Sequence, residues 1–141
     1  SEGVFSIPFE KTIEFMEANP MVKISYQNIE INSQLIGKYN YTNIAAAISI
    51  GNYFGIDKFA TRTAIENYNS TNNRSQIITK EGLKIILDAY NANPTSMNAA
   101  IDTFAENTSE NKLMILGDML ELGKISKDEH QKIIDKVQAN Q

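Results

Sequence analysis

Cysteine is absent from this chain, and histidine occurs once, at His130. Without thiols there is no disulfide, thiolate metal site or cysteine nucleophile, and a single imidazole excludes a metal cage built of several histidines. Basic excess is lacking too, since 13 Lys and Arg against 17 Asp and Glu leave a formal charge of −4. That balance offers no broad attraction to nucleic acid or anionic lipid, so neither is an expected partner, and an anionic ligand must be held by local groups. No apolar run approaches the roughly 20 residues that cross a bilayer, and Ser1 to Pro8 has no basic region followed by an apolar stretch. The expectation is a soluble, cytoplasmic monomer.

A phosphate-cradling P-loop is missing as well. Neither Gly37-Lys38 nor Gly123-Lys124 has a glycine five positions before the pair, and neither is followed by Ser or Thr. Chemistry here must use carboxylates, amides, Arg, Lys and backbone groups. With 141 residues, 42% apolar and 21% charged, the chain can bury one ordinary core or two small ones.

Periodicity sketches the order of elements. Val22, Ile24 and Tyr26, then Ile29 and Ile31, alternate as in half-buried strands, with a loop at Asn19-Pro20. From Asn40 the pattern turns helical: Asn40 can cap, Ile44, Ala47, Ile48 and Phe54 form an apolar face, and Gly55 offers a stop. Asp57 caps a second helix ending near Tyr68. The polar stretch Asn69 to Arg74 has no periodicity and reads as a linker, with a domain boundary near Ser75.

Beyond the boundary, Gln76 to Thr79 and Leu83 to Ala89 flank Lys80-Glu81-Gly82 and suggest a hairpin. Pro94, after Asn93, opens a helix to about Ala105, Leu113 to Leu116 reads as a further strand, and Ser126 with Glu129 suits a capping box on a last helix. Strand from Leu83, helix from Pro94 and strand from Leu113 make a βαβ unit, which implies parallel strands and a right-handed crossover. The fold class is therefore α/β.

In an open parallel sheet, ligands bind beyond the carboxyl ends of strands. Two loops are expected there, Asp88 to Pro94 and Gly117 to Gly123. Asp88 can accept hydrogen bonds from the two vicinal hydroxyls of a ribose, or with Asn91 and Asn93 it can simply shape a turn and cap the next helix. Asp118 and Glu121, bracketed by glycines, can bind an ammonium group or a cation, while Met119, Leu120 and Leu122 equally suit packing beneath the loop. Arg74 can reach a phosphate with its planar donors or stand solvated in the linker. Asn40 and Asn43, three apart at a helix start, can read the edge of a base, although capping explains one of them equally well. His130 suits a surface or packing role.

Four stretches together resemble a known family: Leu35 to Ala47 (LIGKYNYTNIAAA), Asn72-Asn73-Arg74-Ser75, DAYNANPTSM from Asp88 and LGDMLELG from Leu116. In order and spacing, from about residue 30 to the end, they are similar to the Mur ligases, and closest to the branch that adds D-alanyl-D-alanine. The resemblance implies a three-domain ATP-dependent enzyme: an N-terminal domain for the UDP sugar, a central ATPase domain, and a Rossmann-like C-terminal domain that closes over ATP. Residues 1–75 would then be the C-terminal part of the central domain, and 76–141 the first half of the Rossmann-like one. The P-loop, the magnesium-binding acids and a modified lysine would lie upstream, so this segment alone is expected to be inactive.

By the same likeness, Asn40 and Asn43 match positions near the adenine, Arg74 a phosphate-contacting arginine and Asp88 the acid that meets the ribose. Tyr90, Asn91 and Asn93 would flank the nucleotide and acceptor sites, and Asp118, Glu121 and His130 would lie beside the incoming dipeptide. The implied substrates are ATP with Mg2+, UDP-MurNAc-tripeptide and D-alanyl-D-alanine, joined through an acyl phosphate in peptidoglycan synthesis. Two other readings compete: another ligase of the superfamily, such as a folylpolyglutamate-type enzyme, and a non-catalytic nucleotide-binding or scaffolding module.

Overall fold

Alternating apolar residues build the first sheet. In the computed structural model, which describes residues 6–140, strands β1 (Ile13–Ala18), β2 (Met21–Tyr26) and β3 (Ile29–Ile36) form an antiparallel sheet in the order β1-β2-β3. Val22, Ile24 and Tyr26 point to one face and are buried, as the period of two requires. On β3 the buried side runs Ile31, Ser33 and then Ile36, a break in alternation that accompanies the register shift between Met21 and Lys23 on the neighbouring strand. Gln27 and Asn28 both have positive φ between the paired Tyr26 and Ile29, the two-residue turn whose twist suits a hairpin.

Helix α1 (Asn40–Tyr53) buries Ile44, Ala45 and Ile48 in the same core as Ile13, Val22, Ile24, Tyr26 and Ile31. Each large apolar side chain withdrawn from water there contributes about 1.5–3 kcal/mol. The apolar face differs from the expected one: Ala47 is exposed and Phe54 is 70% exposed, because the buried stripe runs through Ala45 and Ser49 instead. Asn40 is not the cap either. A tight turn from Gly37 accepts the Asn40 N–H, and Tyr39 precedes the helix in helical geometry, which leaves Asn40 inside the first turn. The stop is as expected: Gly55 has φ of +77°, its N–H donates to Asn52 and that of Ile56 donates to Gly51, closing the end as a Schellman motif.

Helix α2 (Lys58–Asn67) begins where Asp57 accepts from the backbone N–H of Phe59 and Ala60. Asp57→Ala is expected to lower stability by about 1 kcal/mol, read as a shift of the urea midpoint at unchanged slope. A shift no larger than that of an exposed control such as Lys11→Ala would remove the cap from the account.

The chain divides into two compact units, Ser1–Asn69 and Ser70–Gln141, with the break earlier than Ser75. The second unit starts with a hairpin, β4 (Gln76–Lys80) and β5 (Leu83–Leu87). Lys80 pairs with Leu83, and Glu81 and Gly82 turn the chain with φ of +51° and +79°. Helix α3 (Pro94–Glu106) follows Asn93, whose side chain accepts from Ser96 N–H while the Ser96 hydroxyl accepts from Asn93 N–H, closing the box from both sides.

The last helix, α4 (Ser126–Ala139), is entered from a 3-10 turn at Gly123–Ile125. Ser126 already has helical φ and ψ there, so it cannot cap, and Glu129 pairs with Lys132 rather than closing a box. Ile101, Met119 and Ile133 form this unit's buried core, and Lys136 reaches across from α4 to Asp102 at 2.7 Å.

The expected strand at Leu113 to Leu116 does not form, and with it goes the parallel βαβ unit. β5 pairs with β4 alone, antiparallel, whereas Met114 packs against the core and Leu113 and Ile115 are 82% and 87% exposed. A continuously apolar run makes a parallel strand only where both faces are covered and a neighbouring strand accepts its hydrogen bonds. Among the described residues this segment has one covered side and no paired neighbour.

Candidate functional site

Hairpin register decides which polar residues meet. Because Gln76 pairs with Leu87, the residues just before β4 lie opposite those just after β5. Ser75 N–H donates to the Asp88 carboxylate at 3.1 Å, and the Asn73 carbonyl accepts from Ala89 N–H at 2.8 Å and Tyr90 N–H at 3.2 Å. Asn73 and Ser75 take φ of +56° and +50°, a conformation that is costly for a serine, and it persists because the Ser75 N–H and the Asn73 carbonyl are both held by these bonds.

Between them, Arg74 lays its guanidinium over the Tyr90 ring, with Cζ 3.8 Å from the ring centroid. Such a stack at an exposed site is worth about 0.5–1 kcal/mol, enough to bias a long side chain towards one orientation. Arg74, Asp88 and Tyr90 are all exposed. The open end of the hairpin therefore presents a cation with planar donors, a carboxylate and an aromatic face side by side, the set of groups that suits phosphate, ribose hydroxyls and a base.

The neighbouring asparagines are more local in their bonding. Asn91 accepts from Ala92 N–H, and Asn93 is engaged as the cap of α3, the turn-shaping alternative weighed for it. In the first unit Asn40 is buried, donating to the Ile36 carbonyl at 2.7 Å and accepting from the Asn43 amide at 3.0 Å. Asn40 thus anchors the strand-to-helix turn, and Asn43 is the exposed member of the pair.

Asp118 and Glu121 form a separate group. Met119 is buried against Ile101 and Ile133, which pins the loop and leaves the Asp118 side chain 89% exposed, 3.9 Å from Nε2 of His130. Glu121 turns the loop with φ of +64° and is exposed as well. The expected delivery of both loops from adjacent parallel strands is absent, since the second strand does not form; Asp88 is tied to the pre-hairpin segment and Asp118 stands beside α4. Among the described residues, no three of His, Asp and Glu stand close enough to hold a metal ion.

Two features escaped the sequence reading. The register that places residue 75 opposite 88 was in principle readable from the two-residue turn at Glu81-Gly82, whereas the Arg74 stack on Tyr90 depends on how the folded side chains lie. The bond from Met119 N–H to His130 had no such signal, for it depends on how α4 docks.

Residues 73–141 match the family described as "Mur ligase, glutamate ligase domain". Over 99 residues the chain is 43% identical to the UDP-N-acetylmuramoyl-tripeptide--D-alanyl-D-alanine ligase of Bacillus subtilis, covering 69% of this chain and 22% of that protein. Among solved structures, one crystal structure of MurF from Acinetobacter baumannii superposes with a TM-score of 0.75 at 26% identity, over 90% of this chain and 28% of that one. The MurF ligase of Thermotoga maritima in complex with ADP shares the fold, with a TM-score of 0.70 at 20% identity over 88% of this chain and 30% of that one. The chain spans about a quarter of the length of the curated relatives it matches. On this agreement of sequence and fold, the chain belongs to the Mur ligase family.

Proposed function

We propose that this chain is part of an ATP-dependent ligase that adds D-alanyl-D-alanine to UDP-MurNAc-tripeptide in cytoplasmic peptidoglycan synthesis. The observation that carries the reading is the exposed Arg74, Asp88 and Tyr90 cluster, lying within the 73–141 stretch that matches the family. Support also comes from the Bacillus subtilis relative, a UDP-N-acetylmuramoyl-tripeptide--D-alanyl-D-alanine ligase, and from the ADP complex of the Thermotoga maritima MurF ligase, whose fold this chain shares. In domain terms, residues 1–75 would complete a central ATP-binding domain, and residues 76–141 would begin the Rossmann-like domain.

The chemistry is phosphoryl transfer followed by amide formation. A carboxylate oxygen of the tripeptide attacks the γ-phosphorus, ADP leaves, and the dipeptide amine then attacks the acyl carbon, expelling phosphate and losing a proton. Catalysis of this kind rests on positioning and charge neutralisation rather than on a protein nucleophile, which suits a chain without cysteine. Arg74 would neutralise phosphate charge while Tyr90 holds it in place. Asp88 would accept from the ribose hydroxyls. Asn91, with Asn93 at the cap of α3, would border the acceptor, and Asp118 and Glu121 would attract its ammonium group. Magnesium belongs to the same proposal as a neutraliser of phosphate charge, held by acids outside this segment.

The test is ADP release by a longer protein carrying the upstream region. Release is expected only when tripeptide and D-alanyl-D-alanine are both supplied. Release that proceeds with glutamate in place of the dipeptide would overturn the assignment in favour of a folylpolyglutamate-type ligase. Nucleotide binding without any turnover would leave a non-catalytic module.

A further inference from the structure

We propose that His130 is the positioning residue of the Gly117–Gly123 loop, acting as a neutral imidazole with its proton on Nδ1, and that its protonation releases the loop and ties up Asp118. The geometry assigns the tautomer. Nδ1 lies 2.7 Å from the carbonyl oxygen of Ser126, which can only accept, so Nδ1 carries hydrogen. Nε2 lies 3.0 Å from the backbone nitrogen of Met119, which can only donate, so Nε2 carries the lone pair. Both bonds demand the same neutral form, and the imidazolium would set Nε2–H against Met119 N–H.

That bond matters because Met119 belongs to no helix or strand, and its N–H has no ladder to join. Its side chain is 2% exposed between Ile101 and Ile133. The loop is therefore held from below by Met119 packing and from α4 by the imidazole, and the acids on either side, Asp118 and Glu121, are displayed outward.

A competing partner stands ready. The Asp118 carboxylate is 3.9 Å from Nε2, and it cannot bond a ring nitrogen that lacks hydrogen. Once Nε2 is protonated, the same carboxylate becomes its best acceptor and Met119 N–H loses its own. Of the charged groups around the ring, Asp118 faces it from the loop and Lys127 lies one turn back on α4, exposed. α3, the other element packed on α4, brings its charge further along, through Asp102 against Lys136. One proton thus decides whether Asp118 is offered to a ligand or neutralised by the protein. The latch itself is independent of the ligase reading, whereas its consequence for the dipeptide amine rests on it.

Nitrogen NMR of the His130 ring and amide exchange at Met119, both on the full chain across pH, test the latch. In the uncharged ring Nδ1 is expected to carry the proton and Nε2 none. Met119 protection, corrected for the intrinsic pH dependence of exchange, should fall on acidification with the same midpoint as the ring titration. His130→Ala should speed Met119 exchange about tenfold, and His130→Gln, whose amide oxygen can accept the same bond, should restore most of the protection and abolish its pH dependence. A proton on Nε2, Met119 exchange indifferent to the ring's titration, or a Gln variant as fast as the Ala variant would each overturn the proposal. Should the Ala variant fail to fold, the wild-type pH profile and the Gln variant still decide it. Loss of dipeptide-dependent activity with an intact latch would count against the ligase reading alone.

Discussion

Replacing Arg74 by alanine is expected to lower the turnover of the ligase that carries this segment about 100-fold while changing D-alanyl-D-alanine affinity by no more than about twofold. The asymmetry follows from placement. Arg74 sits at the open end of the hairpin beside Asp88, stacked on Tyr90, so its charge serves phosphate in the proposed reaction rather than the dipeptide. A group that stabilises charge developing in the transition state affects kcat more than the ground-state binding of a second substrate. Arg74→Lys should recover only part of the rate, because an ammonium keeps the charge but loses the planar fork and most of the stacking. Tyr90→Phe should keep the stack and most of the rate, and Tyr90→Ala should cost a few-fold, in line with a stack worth about 0.5–1 kcal/mol. Steady-state kinetics of the longer protein decide the matter: unchanged turnover in Arg74→Ala would remove Arg74 from the mechanism, and a matched loss of dipeptide affinity would move it to the acceptor site.

Truncating Ile101 to alanine should destabilise the second unit by about 3 kcal/mol. Ile101 is 1% exposed, in a core whose buried apolar residues, among the described ones, are itself, Met119 and Ile133, whereas the first unit's cluster contains eight. Both units lose a similar transfer and cavity term when one isoleucine is cut back, but the smaller core has fewer remaining contacts to absorb it. The readout is amide exchange resolved by element. Protection across α3 and α4 should drop about 100-fold, and that of β2 and β3 should hold. The matched substitution Ile24→Ala, at a site also 1% exposed, should do the reverse. An Ile101→Ala variant with unchanged exchange in α3 and α4 would show that this cluster does not support the unit.

Legibility of the fold tracked the range of the interactions. The alternation at Val22, Ile24 and Tyr26, the Asp57 cap, the glycine stop at Gly55, the Lys80-Glu81-Gly82 hairpin and the Asn93-Pro94 helix start were all readable. Each depends on a few neighbouring residues with fixed conformational preferences. Errors came where a second element had to decide. Ser126 has the chemistry of a cap, but the preceding 3-10 turn carries it into the helix. Leu113 to Leu116 has the composition of a buried strand, yet no neighbour pairs with it among the described residues. Phe54 has helical spacing, but the stripe that α1 buries is rotated towards Ala45 and Ser49.

The candidate site divides the same way. The letters of four stretches, from Leu35 to Gly123, sufficed for the family, because a motif match needs only residue types in order. Asn40 was read as one of two base-reading amides, and burial turned it into an anchor for the other.

By itself, the order of residues determined the helices, the hairpin turn and the family, since backbone preference and side-chain pattern act within a few positions of the chain. Tertiary structure alone decided that Arg74 lies on Tyr90, that Asn40 turns inward, and that the one histidine accepts from Met119. Those contacts arise from strand register and helix docking, where packing of distant residues selects among arrangements that local chemistry leaves equal in energy.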